Sequence, residues 1–103
     1  MSDIQELIDL LVKFRDDRDW GQFHDSKNLA LALSIEAAEL NELFLWKKDS
    51  ESKNIDRERL KEELADVFAY ALMLAERNNL SVSDIVKSKI QKNAEKYPVE
   101  ECR

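Results

Sequence analysis

The chain has 103 residues, 37% of them charged, and carries a net charge of −6 at pH 7. That balance excludes a duplex nucleic-acid binder, which needs a basic face to displace counterions, and no apolar run approaches the ~20 residues that span a bilayer. With one Gly, one Pro and many Leu, Ala, Glu and Lys residues, the composition predicts a single all-α domain over residues 1–103.

Cys102 is the only cysteine, so no intramolecular disulfide can form. The opening MSDIQELIDL lacks the basic segment and apolar run of a secretory leader. Together these predict a soluble, cytoplasmic protein. The first helix is expected from Asp3 to Asp19, with Ser2 and Gln5 at capping-box spacing. Ile4, Leu7, Ile8 and Leu11 recur on one face, and Arg15 and Arg18 continue it. Two readings of these arginines stand: stems covering the core rim with their heads in water, or heads that bind phosphate or an acid.

WGQFHD, Trp20 to Asp25, holds the only Gly and the only His and reads as a loop. Its aromatics either cap the helix ends as a hydrophobic lid or face a ligand. One His cannot build a transition-metal site, which takes several His or Cys ligands.

The second helix is expected from Ser26 to Lys48, capped by Asp25 or Ser26. At about 100° per residue, Leu29, Leu33, Leu40 and Leu43 form an apolar stripe, with Glu36 in its middle and Glu39 on its flank. The polar run KKDSESKNI then leads to a third helix, Asp56 to Asn78; residues 49–55 read as a mobile connection and a candidate gate. In this helix Leu60, Val67, Tyr70 and Leu74 make the stripe, and Glu63 and Asp66 fall inside it. Both helices carry apolar residues beyond one stripe: Leu31, Ile35, Ala38 and Leu45 on one, Leu64, Phe68, Ala71 and Leu72 on the other. Such two-sided helices in a small chain predict an obligate homo-oligomer.

Asn78-Asn79 suits a left-handed helix end. Ser81 and Asp84 open the fourth helix with S-x-x-D spacing. Its stripe is Val82, Val86, Ile90 and Tyr97. Lys89 and Asn93 lie within that stripe, either snorkelling at its edge or facing a ligand. Pro98 closes the helix, and residues 99–103 read as a tail.

On a helix, residues three apart are neighbours, so Glu36/Glu39 and Glu63/Asp66 each present paired carboxylates. If the two helices pack antiparallel, all four acids converge. Two unit charges ~4 Å apart at an effective dielectric near 20 repel by about 4 kcal/mol. Such a group must protonate, spread, pair with Arg15, Arg18, Arg59 or Lys89, or recruit a cation. A hard, oxygen-only donor set suits Mg²⁺, with Mn²⁺ as a substitute. A ferritin-like di-iron centre would require E-x-x-H pairs, which the chain lacks.

With Glu36-Ala-Ala-Glu39 and Glu63-Leu-Ala-Asp66 placed, the pattern resembles the MazG-like all-α nucleoside triphosphate pyrophosphohydrolases. It is most similar to their dCTP pyrophosphatase branch, through RDWGQFHDSKNLALAL, EAAELNELFLWK, EELADVFAY and SKIQKNAEKYPV. The resemblance implies a four-helix-bundle-type domain completed by oligomerisation as a dimer or dimer of dimers. It implies Glu36, Glu39, Glu63 and Asp66 as the catalytic, Mg²⁺-holding acids. Cleavage would fall between the α and β phosphates of a dNTP, giving a monophosphate and pyrophosphate in a house-cleaning role. The substrate implied first is dCTP or a modified dCTP, and dATP second. Trp20 and Trp46 resemble aromatics that enclose the base, and His24 and Tyr70 would face the nucleotide. Lys89, Asn93, Lys96 and Tyr97 resemble terminal-helix residues that contact phosphates or sugar, often from a neighbouring subunit. Many of these proteins carry a further Glu directly before the first acid; this chain has Ile35 there, and the dCTP branch also lacks that Glu. The alternatives are a dUTP/dUDP hydrolase of the same superfamily and a non-catalytic helical module that binds a nucleotide or a protein.

Overall fold

The computed structural model describes residues 3–46 and 55–102. Within them the order is α1 (Asp3–Asp17), a short 3-10 helix (Trp20–Phe23), α2 (Ser26–Glu42), α3 (Arg57–Arg77), α4 (Val82–Lys96) and the single turn α5 (Val99–Cys102). The all-α expectation holds among the described residues. Ser2 of the expected capping box and the connection over 49–54 lie outside them.

The helix starts are set by side-chain caps. Asp25 Oδ1 accepts from Asn28 N at 2.8 Å, Asp56 Oδ1 from Glu58 N at 3.0 Å, and Ser81 Oγ from Asp84 N at 3.3 Å. Each satisfies one of the orphan donors of a first turn. At the end of α3, Asn79 takes φ 56°. There Leu80 N donates to Ala75 O and Asn79 N to Glu76 O, the paired bonds of a Schellman stop.

The end of α2 departs from the sequence reading. Helical bonding stops at Glu42, and Leu43, Phe44 and Leu45 donate to carbonyls three residues back instead. These tighter turns occupy the last orphan carbonyls, and Trp46 takes φ 66°. Periodicity continued to Lys48, and no Gly or Pro marked the earlier stop.

Helices α2 and α3 form the main interface and α1 leans on α3. Their antiparallel sense is fixed at one end, where Asn78 Nδ2 at the close of α3 donates to Ser26 Oγ at the start of α2 at 3.0 Å. The core is small: Ile8, Leu29, Leu43, Leu72, Met73 and Ala75 are the buried apolar residues, and Leu29 is the most enclosed at 1% exposure. The two predicted stripes face this core. The apolar residues placed beyond them divide: Leu72 is buried against the α1 side, whereas Leu31, Ile35, Leu45, Leu64 and Phe68 stay exposed.

Helix α4 touches the rest of the chain only sparsely, and Ile85, Val86, Ile90 and Tyr97 are exposed along it. A groove of about 680 Å³ between α1 and α3, lined by Ile4, Leu7, Leu10, Phe14, Phe68 and Leu72 among others, is almost wholly apolar. The accessible surface is 8363 Å² for 12.0 kDa, against roughly 6,000 Å² for a closed monomer of that mass. The radius of gyration is 16.8 Å, against about 13 Å. The chain does not close around its own core.

Candidate functional site

The antiparallel α2/α3 pair brings the acids together. One carboxylate oxygen each from Glu36, Glu39 and Glu63 lies within 4.8 Å of the other two. Asp66, one turn beyond Glu63, is exposed and stands outside this triad, though its negative charge acts on Glu36, Glu63 and Tyr70. The sequence reading of four converging acids becomes three with a fourth at their flank.

The cationic partners weighed from sequence are mostly engaged elsewhere. Arg59 reaches Glu63 at 3.7 Å, a loose contact from a half-exposed side chain. Arg15 pairs with Asp16 and Glu76, and Arg18 lies 3.6 Å over the Phe14 ring while donating to Phe14 O. Glu36 Oε2 and Glu63 Oε2 are shut off from solvent with no hydrogen-bond partner among the described residues. A buried carboxylate oxygen without a donor is costly, and the same lone pairs are what a hard cation takes. The triad therefore fits a divalent metal by number, donor type and unmet bonding.

The electrostatics agree. Glu36 is raised from 4.5 to about 7, first by burial, then by proton sharing with Glu39 and the charges of Glu39, Asp66 and Glu63. Glu63 is raised by burial and by Glu39, with Arg59 pulling the other way. Tyr70 is also raised, by burial and then by Glu36, Asp66 and Glu39, so its phenol stays protonated beside the acids.

Next to the triad is a second cavity, about 350 Å³, whose lining includes Asp66, Tyr70, His24, Trp20, Phe14 and Arg15. Its size falls in the range of small-ligand sites, about 300–1,000 Å³. The WGQFHD segment builds one wall. It forms a 3-10 turn rather than an irregular loop, entered through Asp19 at φ 55°, and Asn28 Nδ2 ties it to α2 by donating to Phe23 O at 3.0 Å. Trp20 packs edge-on to Phe14 at 5.7 Å, and His24 lies 6.4 Å from both Trp20 and Tyr70. His24 Nδ1 is buried without a partner. Flat rings around a slot, with few polar atoms aimed inward, suit a planar heterocycle.

Of the sequence-predicted site residues, Glu36, Glu39, Glu63, Asp66, Trp20, His24 and Tyr70 are gathered at this corner. Trp46 is not; it is 92% exposed. Lys89, Asn93, Lys96 and Tyr97 are exposed on α4, with Lys96 Nζ 5.4 Å from the Tyr97 ring. The structure adds Arg15, Phe14, Leu11 and Met73 to the cavity. Arg15 had a signal, its place on the apolar face of α1. Glu76 had none, since its bond to Arg15 joins residues far apart in sequence.

Comparison with known proteins identifies the family of the chain. Residues 31–103 match the model of the MazG-like family. The chain is 41% identical over 101 residues to dCTP pyrophosphatase 1 of Rattus norvegicus, covering 93% of this chain and 59% of that protein. It is 39% identical over 105 residues to dCTP pyrophosphatase 1 of Homo sapiens, covering 97% and 62%. It thus spans about three-fifths of the length of these relatives. Among solved structures, a pyrophosphatase from Archaeoglobus fulgidus superposes with a TM-score of 0.90 at 39% identity, over 95% of this chain and 94% of that one.

Proposed function

The chain belongs to the MazG-like family, and from that premise we propose that it hydrolyses a deoxynucleoside triphosphate, dCTP or a modified dCTP first, to the monophosphate and pyrophosphate. The observation that carries this reading is the juxtaposition of an oxygen-only acid triad with an aromatic slot, Asp66 and Tyr70 lying between them. The names of the relatives, dCTP pyrophosphatase 1, agree with it.

A triphosphate cannot approach three carboxylates unaided. Glu36, Glu39 and Glu63 would hold Mg²⁺, and Asp66 would complete or orient the set. When bound, the ion offsets phosphate charge and makes water a better nucleophile. The protein's own part is to seat the base against Trp20, His24 and Tyr70, which sets the phosphates over the acids. In the net reaction the Pα–O bond to the β phosphate breaks, water oxygen joins Pα, and a proton is released.

The same reading assigns the unmatched features. The apolar groove and the bare α4 are covered by further copies of the chain, as a dimer or dimer of dimers. Lys89, Asn93, Lys96 and Tyr97 then reach a neighbouring copy's phosphates, and Trp46 folds over the base. The unit is one domain over residues 1–103, acting on cytoplasmic nucleotides. No helix of the described residues is long and apolar enough to cross a membrane.

Product analysis tests the proposal. The purified protein is incubated with Mg²⁺ and each deoxynucleoside and ribonucleoside triphosphate, and the products are separated. Monophosphate plus pyrophosphate, lost with a chelator, is expected. Diphosphate plus orthophosphate would mean the wrong bond, and no turnover of any nucleotide would remove the reading.

A further inference from the structure

The cavity beside the acids contains one polar group that bond cleavage does not need. Arg15 lines it together with Trp20, His24 and Tyr70, and its side chain is only 13% exposed. Nε donates to Asp16 Oδ1 at 3.0 Å, and Nη1 donates to Glu76 Oε2 at 3.2 Å. One anchor comes from α1 and the other from α3, so the guanidinium plane is held from two sides. Burial alone would weaken its charge, but the bonds and charges of the two acids outweigh that. Their two negative charges also offset its own, which makes this corner a poor seat for phosphate. The two acids engage Nε and Nη1, and a guanidinium carries five N–H donors in all. What remains is a fixed, donor-only group at the wall of a slot shaped for a planar ring.

We propose that Arg15 is the base-reading residue, its guanidinium donating to the O2 carbonyl of a pyrimidine base seated in the cavity. The proposal rests on the nucleotide reading above. A guanidinium can satisfy only acceptors. The O2 carbonyl is such an acceptor in any pyrimidine, cytosine and uracil alike, whereas adenine has no carbonyl at all, so the contact selects pyrimidine over adenine. Stacking on Trp20, His24 and Tyr70 gives affinity for any base with little selectivity, so discrimination falls to polar groups of the wall, of which Arg15 is the cation held by two anchors. Glu76 is its positioning residue.

The test compares dCTP, dATP and 2-thio-dCTP, in which sulfur, a poor acceptor, replaces O2. The same three proteins are used throughout: wild type, Arg15→Leu and Glu76→Gln. A hydrogen bond to a charged group supports discrimination of about ten- to a hundredfold. Wild type should therefore prefer dCTP over 2-thio-dCTP by that factor in kcat/KM. Arg15→Leu should lose most of this preference, chiefly through KM, and Glu76→Gln should fall between. Titration with deoxycytidine and deoxyadenosine should show the same loss of preference without turnover. An equal fall for all three triphosphates in Arg15→Leu would make Arg15 only a strut between α1 and α3 and would overturn the proposal, as would a wild type indifferent to the O2 replacement. If Arg15→Leu does not fold, the wild-type ratio and Glu76→Gln still decide. A wild type that binds deoxycytidine selectively but hydrolyses nothing would instead sink the proposed reaction and leave the base reader standing.

Discussion

Glu36 is where the local cost of this site is concentrated. Its carboxyl stands at about 7 in the folded, metal-free chain against 4.5 ordinarily. Between those values the folded chain binds more protons than the unfolded one, so this group's contribution to stability is greatest at low pH and is lost as pH rises toward 7. The Tm of chelator-treated protein should therefore carry a component that falls from about pH 5 to about pH 7.5, and Glu36→Gln should remove it. Cation binding must expel that proton, so added Mg²⁺ should raise the Tm more at pH 8 than at pH 6. A pH-independent gain would argue against Glu36 as a ligand. Glu63→Gln keeps the side chain's volume but removes a ligand charge; turnover should drop a hundredfold or more while the circular dichroism spectrum is unchanged. At this scale the sequence was informative about acids and rings. An acid inside an apolar stripe announces itself, as Glu36 and Glu63 do. The Arg15–Glu76 bond does not, because each residue alone resembles an ordinary rim charge.

Among the elements, starts were easier to read than stops. Asp25 and Ser81 cap the helices they were expected to cap, because a side-chain oxygen before an apolar-periodic run has one favourable use. Asn79 was legible as a stop for a similar reason, its tolerance of a left-handed backbone. There Asn79→Gly should leave stability unchanged or raise it slightly, while Asn79→Ala should cost about 1 kcal/mol, measured by denaturant unfolding. The stop of α2 was not legible, since Leu43 to Leu45 leave the helix by tightening its hydrogen bonds rather than through a breaker residue. Trp46 at φ 66° is an uncommon conformation for a bulky side chain. The 3-10 turn at Trp20 was hidden too, as four residues give no periodicity to detect.

At the level of the molecule, the two-sided helices led to the expectation of a homo-oligomer. The exposed groove and the sparse packing of α4 leave apolar area that the proposed assembly would cover. Phe68 lines that groove and is 59% exposed in the single chain. Phe68→Asp should therefore leave helix content nearly intact yet shift the solution mass, by light scattering, toward monomer. An unchanged mass would mean the groove is not an interface between copies, and a wild type already monomeric at micromolar concentration would remove the assembly altogether. Any arrangement of copies was beyond the sequence, because apolar surplus marks a face to be covered but not at what angle. The open surface also has an operational meaning. If further copies cover those faces as proposed, a unit with so few enclosed side chains borrows its solidity from its neighbours, and specific activity becomes a function of how much protein is in the tube. Dilution to the low-nanomolar concentrations of a sensitive assay would part the subunits, and a progress curve begun there would lag, or decay, before any nucleotide had run out.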